Sequence, residues 1–73
     1  MDVIDRRDLC ARFLEKNGIQ IRYENLFGAA SGLCSINGRQ VLMIEVALTS
    51  GEQLEILEST AEDLSRAIKK SVA

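Results

Sequence analysis

The chain has 73 residues, of which 47% are apolar and 27% charged, with no proline and a formal net charge of −2. A domain of this size buries only about 60% of the surface that its unfolded chain exposes, so it has room for one small core. Nine basic residues against eleven acidic ones leave no basic footprint for a nucleic acid. The absence of histidine removes the usual general base, zinc ligand and triad partner.

Asp5 and Asp8 are spaced as an N-cap and a third-position acid, which predicts a helix from about Arg6 to Asn17. Its apolar residues, Leu9, Cys10, Phe13 and Leu14, form one stripe on a charged cylinder. Gly18 stops it, and the Schellman arrangement that a glycine favours brings Leu14 against Ile19. The strict alternation of Ile19-Gln20-Ile21-Arg22-Tyr23 predicts an edge strand with Ile19, Ile21 and Tyr23 inward. The stretch 24–31 is rich in small residues and predicts a loop, with Phe27 closing one end of the core.

Gly32 to Leu48 predicts a β-hairpin turned at Asn37-Gly38, the residue pair that tolerates positive φ at both positions of a type I′ turn. That turn fixes the register: Ile36 faces Arg39, Ser35 faces Gln40, Cys34 faces Val41 and Leu33 faces Leu42. One face then carries Leu33, Leu42, Ile44, Val46 and Leu48, and the other Cys34, Ile36, Val41 and Met43. Because Val41 to Ile44 is apolar at every position, both faces of that strand need cover. Glu45, the one acid in it, is expected to pair with Arg22 or Arg39 or to lie exposed at the strand end.

Thr49-Ser50-Gly51-Glu52-Gln53 holds two overlapping capping boxes and predicts the start of a long helix. Leu54, Leu57, Ala61, Leu64 and Ile68 make one narrow seam along it. Acids crowd its start, while Arg66, Lys69 and Lys70 sit near its end, which complements the helix dipole. Glu62 and Arg66 are placed to form an i,i+4 pair, and Ser59-Thr60 leaves open a break in the middle.

The expected fold is therefore a single α+β domain spanning 1–73, in the order α-β-β-β-α, with a three-stranded antiparallel meander packed against two helices. Two helices can cover only the Leu42 face. This leaves Cys34, Ile36, Val41 and Met43 for a partner, with Leu64 and Ile68 on the overhanging last helix adding surface. The expectation is a non-enzymatic protein-interaction module, most simply a homodimer, without cofactor, metal or nucleic acid. Cys10 and Cys34 read as buried small apolar residues, not as reactive thiols. The charged opening stretch has no apolar h-region, and no apolar run approaches the roughly 20 residues that span a bilayer, so a cytoplasmic protein without a membrane partner is expected.

Gly32-Leu33-Cys34, Gly38, the apolar run Val41 to Ile44, Leu48-Thr49 and Glu52-Gln53 together carry a resemblance. The chain resembles short uncharacterised bacterial proteins and the front half of the ImmA/IrrE-type zinc peptidase domain, over about residues 9 to 64. In that family the last helix carries an HExxH zinc motif. The matching stretch here, Glu58 to Asp63, has no histidine, so the resemblance implies the order of elements and no metal site or peptidase activity. It also suggests an alternative, a degenerate peptidase-like domain that binds peptide by β-augmentation along Ile19 to Tyr23.

Overall fold

The computed structural model describes the backbone of residues 2–72 and the side chains of residues 2–69. Five elements follow in order: α1 (Val3–Lys16), β1 (Ile19–Glu24), β2 (Gly32–Ile36), β3 (Arg39–Glu45) and α2 (Ser50–Val72). The α+β class and the element order are as expected. Helix α1 starts a turn earlier than the sequence suggested. Its N-cap is Asp2, whose carboxylate accepts from the Asp5 N–H at 3.0 Å, so Asp5 is the third-position acid and not the cap. Asp2/Asp5 and Asp5/Asp8 have the same spacing, so the acid pattern alone does not choose between them, and Val3 and Ile4 in the added turn are exposed. The other end matches expectation: Gly18 adopts φ 85°, its N–H bonds Glu15 O, and Leu14 and Ile19 meet in the core.

The sheet is mixed, which corrects the antiparallel meander. Its strand order is β1-β3-β2, with β1 parallel and β2 antiparallel to the central β3. Two physical reasons favour this order. β3 is apolar at every position from Val41 to Ile44 and is best placed between two neighbours, whereas β2 is short and contains Gly32 and Ser35. The connection 25–31 is also longer than the two to five residues of a tight hairpin. It crosses the end of β3 and delivers β2 to the far edge.

Glu45 organises that crossing. Its carboxylate accepts from the Leu26 N–H at 3.2 Å, and its own N–H donates to Ser31 Oγ at 3.0 Å, so one residue holds both ends of the loop. The expected partners Arg22 and Arg39 are not used. Arg22 approaches Glu24 instead, at 3.7 Å. Within the loop, Leu26 to Ala29 forms a tight turn, with the Ala29 N–H on Leu26 O and positive φ at both Phe27 and Gly28. That backbone throws Phe27 outward. At 90% exposure it does not close the core as expected. Val46 is also exposed, because β3 ends at Glu45 and Val46 belongs to the following turn.

Helix α1 lies over β1 and α2 over β3, both on the face that carries Ile19, Leu42 and Ile44. Leu14, Ile19, Leu42, Ile44 and Leu57 form the core, with Cys10, Phe13, Ile21, Leu48 and Leu64 packed around it. The helices run in the same direction: Arg7 reaches Gln53 at 2.7 Å, and two turns on Phe13 lies beside Ala61. Arg6 and Glu58 add an exposed ion pair between them. Helix α2 opens on the Thr49 capping box, in which the Glu52 N–H donates to Thr49 Oγ1 and the Thr49 N–H to Glu52 Oε1. It is unbroken through Ser59, and the Glu62–Arg66 pair forms. Lys70, expected to complement the end of the helix dipole, lies outside the described side chains.

Candidate functional site

The molecule measures 39 × 35 × 16 Å, and the short dimension accommodates the sheet and one layer of helices. Stacked layers lie about 10 Å apart. The second face of the sheet is therefore open. Strand parity assigns its side chains: Gln20, Arg22 and Glu24 from β1, Arg39, Val41, Met43 and Glu45 from β3, and Cys34 and Ile36 from β2. The β1 side is polar and the β2 side apolar.

Of the six residues expected to form an interface, four lie on this face. Cys34 and Ile36 are exposed, and Met43 is half-buried. Val41 is only 3% exposed, flanked by Gln20 and Cys34 on the neighbouring strands, so it is a floor beneath the patch and no longer free for a partner. The remaining two lie on the opposite side. Leu64 packs against the core on the helix face, and Ile68 is exposed one turn further along α2. At about 1.5 Å per residue, the 23-residue α2 is roughly 35 Å long. The seven-residue β3 spans only about 23 Å, so the helix overhangs the sheet as expected.

Sequence reasoning missed two features. The first is Leu33, which lies on the helix face but is 48% exposed, because α1 and α2 cover β1 and β3 and leave β2 bare. A groove of about 250 Å³ runs beside it, lined by Ile19, Leu33, Leu64 and Ala67 among others. The signal available was the short, glycine-started β2 sequence, interrupted by Ser35, which marks an outer strand. The second is Cys34. It is exposed, not buried, and its Sγ lies 3.4 Å from Val41 O. Cys10, expected to be buried, is only partly covered, packed against the edge of the core. Burial raises its thiol pKa, nearby Glu58 adds to the rise, and Arg6 opposes it.

Among the described residues, no group of three or more His, Cys, Asp or Glu is arranged to hold a metal, and no helix is long and apolar enough to cross a membrane. No buried side-chain polar atom among them lacks a hydrogen-bond partner. The chain matches no protein-family profile, no curated protein and no solved structure.

Proposed function

We propose that this protein is a cytoplasmic protein-interaction module without catalytic chemistry, and that its partner is a second copy of itself. The observation that carries this reading is the sheet covered by helices on one face only, with Cys34, Ile36 and Met43 around Val41 on the other. Magnitudes decide how much surface is needed. Burying roughly 200 Å² of apolar area on that patch contributes about 5 kcal/mol per subunit at ~25 cal/mol/Å². Two subunits together reach about 10 kcal/mol, inside the range of about 4–15 kcal/mol that association costs. The open face alone is marginal. Adding Leu33, Leu64 and Ile68 roughly doubles the apolar area to about 400 Å² per partner, a share that the polar rim of a standard interface of ~800 Å² per partner would complete. The association surface accordingly takes in the exposed outer part of α2 as well.

Sedimentation equilibrium over a wide concentration range tests the proposal. The expected mass at high micromolar concentration is twice the 8.1 kDa of the chain. The double variant Ile36→Lys, Met43→Lys should sediment as a monomer with unchanged helical circular dichroism, since neither residue belongs to the core cluster. Val41 is unsuitable for this purpose, because a lysine there would be buried and unpaired. A native chain that stays monomeric throughout would overturn the proposal.

A further inference from the structure

The six interface residues lie on two faces of the sheet, and the line where those faces meet beyond β2 is that strand's free edge. Building on self-association, we infer that two copies join along this edge, antiparallel about a two-fold axis, with Cys34 facing the partner's Cys34.

Backbone parity supplies the first argument. Asn37 and Gly38 have φ 51° and 80°, the signature of a type I′ turn, which closes on Ile36 and Arg39 as a hydrogen-bonded pair. Hydrogen-bonded and non-hydrogen-bonded pairs alternate along an antiparallel ladder. Cys34 with Val41 and Gly32 with Met43 are then hydrogen-bonded, while Leu33 with Leu42 and Ser35 with Gln40 are not. The backbone N–H and C=O groups of Leu33 and Ser35 therefore point away from β3, toward the free edge.

The second argument is the lack of protection. Natural edge strands are usually guarded by charge, proline or a covering element. β1, the other outer strand, carries Arg22 and Glu24 and has α1 packed over it. β2 reads Gly-Leu-Cys-Ser-Ile, with no charge and no proline, and every residue after Gly32 is exposed.

Register follows from these two facts. Only groups on Leu33 and Ser35 are available, and the register that engages the whole of β2 sets Leu33 against the partner's Ser35, twice by symmetry. Four backbone hydrogen bonds result. Cys34 falls on the axis in a non-hydrogen-bonded position, where opposed Cα atoms are about 4.5 Å apart and side chains lie close. That spacing lies within the range a disulfide requires. Pairing also covers Ile36 on one side of the sheet and Leu33 with the Leu64 flank of the groove on the other. Val41 and Met43, one strand further in, stay on the open face of the resulting six-stranded sheet. The interface is isologous, so it closes as a dimer.

Two measurements on the full chain test this. Diamide accepts two electrons and two protons from a pair of thiols, becoming the hydrazine as one disulfide forms, and peptide mapping shows which cysteines are joined. Ser35→Pro removes an N–H that the monomer's own ladder does not use, so the fold is retained while the edge is blocked. The expected result is a native dimer linked rapidly at Cys34, with Ser35→Pro monomeric and linked at least tenfold more slowly. A Ser35→Pro chain that still dimerises and links at the native rate overturns the edge inference and leaves self-association standing. A native chain that is monomeric overturns both. If circular dichroism shows Ser35→Pro unfolded, Cys34→Glu, which sets like charges across the axis, decides by sedimentation: a monomer supports the inference and a dimer overturns it.

Discussion

Phe27→Asn should stabilise the protein, although it removes an aromatic side chain from a domain that contains three aromatic residues in all. Leu26 to Ala29 forms a turn with positive φ at both central residues, 50° at Phe27 and 87° at Gly28, closed by the Ala29 N–H on Leu26 O. This geometry favours Asn-Gly, and the same chain uses Asn37-Gly38 for it between β2 and β3. The left-handed region costs an L-residue of this kind about 1–2 kcal/mol, and asparagine much less. Against that gain stands the burial lost with the ring. At 90% exposure, Phe27 covers only about 20 Å² of the roughly 200 Å² that a phenylalanine offers, or about 0.5 kcal/mol. The Asn25 Oδ1 acceptor for the residue-27 N–H, at 2.9 Å, is a backbone contact and survives the substitution. The net expectation is a gain of roughly 0.5–1 kcal/mol, or a few degrees in Tm for a domain of this size. Urea titration monitored by far-ultraviolet circular dichroism reads it directly. A variant with an unchanged or lower midpoint would refute the reasoning, because it would mean that the ring at position 27 supports the fold by more than its exposed position allows.

In protein diluted to the monomer, iodoacetamide should modify Cys34 well before Cys10 near neutral pH, since Cys34 is exposed in the single chain while burial and Glu58 raise the Cys10 thiol; peptide mass mapping over time checks the order. Acid should loosen the start of α2 through Glu52, whose carboxyl is held below its ordinary value by the Thr49 backbone and side-chain hydrogen bonds. A depressed carboxyl contributes stability that is present above the unfolded value near 4.5 and is lost as pH falls through the folded one. Glu52→Gln should therefore flatten the dependence of the unfolding midpoint between about pH 5 and pH 3, and a native-like slope in the variant would count against this role. Leu57→Ala, at a fully buried core position, should lower stability by about 2–5 kcal/mol, a large part of what a domain of this size possesses, and thermal unfolding would show it.

The hairpin register was legible residue by residue because Asn37-Gly38 admits one turn type, and a two-residue loop leaves the flanking strands no freedom to slip. Gly18 was legible for the same reason, and the start of α2 was narrowed to two overlapping capping boxes, Thr49 with Glu52 or Ser50 with Gln53, of which the first forms. Strand order was not legible. Alternation shows that Ile19 to Tyr23 is a strand but does not name its neighbour, and the parallel pairing of Ile21 with Leu42 depends on how far the connection 25–31 can reach. The cue lay in comparing strands: Val41 to Ile44 is apolar throughout, and β2 is not, so β3 was the better centre. Phe27 misled because hydropathy ranks the side chain without regard to the backbone. A Phe-Gly pair in a stretch of small residues is a turn first and an aromatic second.

Strand order also decides what the surface can do. In a meander, β2 would be the middle strand, with Leu33 and Ser35 spending their outward N–H and C=O groups on β1, and the exposed edges would be β1 and the strongly apolar β3. The observed order instead places β3 where both its edges are satisfied and moves an uncharged five-residue strand to the rim. Glu45 makes this possible, since its carboxylate and its N–H hold the crossing loop at Leu26 and Ser31. Cutting that support should therefore act at a distance. Glu45→Ala would release the loop that positions Gly32, loosen β2 against β3, and weaken dimerisation without touching the proposed edge itself. Hydrogen exchange separates this effect from general destabilisation: the β2 and loop amides should exchange faster in Glu45→Ala, while those of Leu42 and Ile44, which point toward β1 and not toward β2, keep their protection. Uniform loss across both strands would show that the loop and the sheet open as one unit, and that Glu45 supports the whole fold and not only the edge.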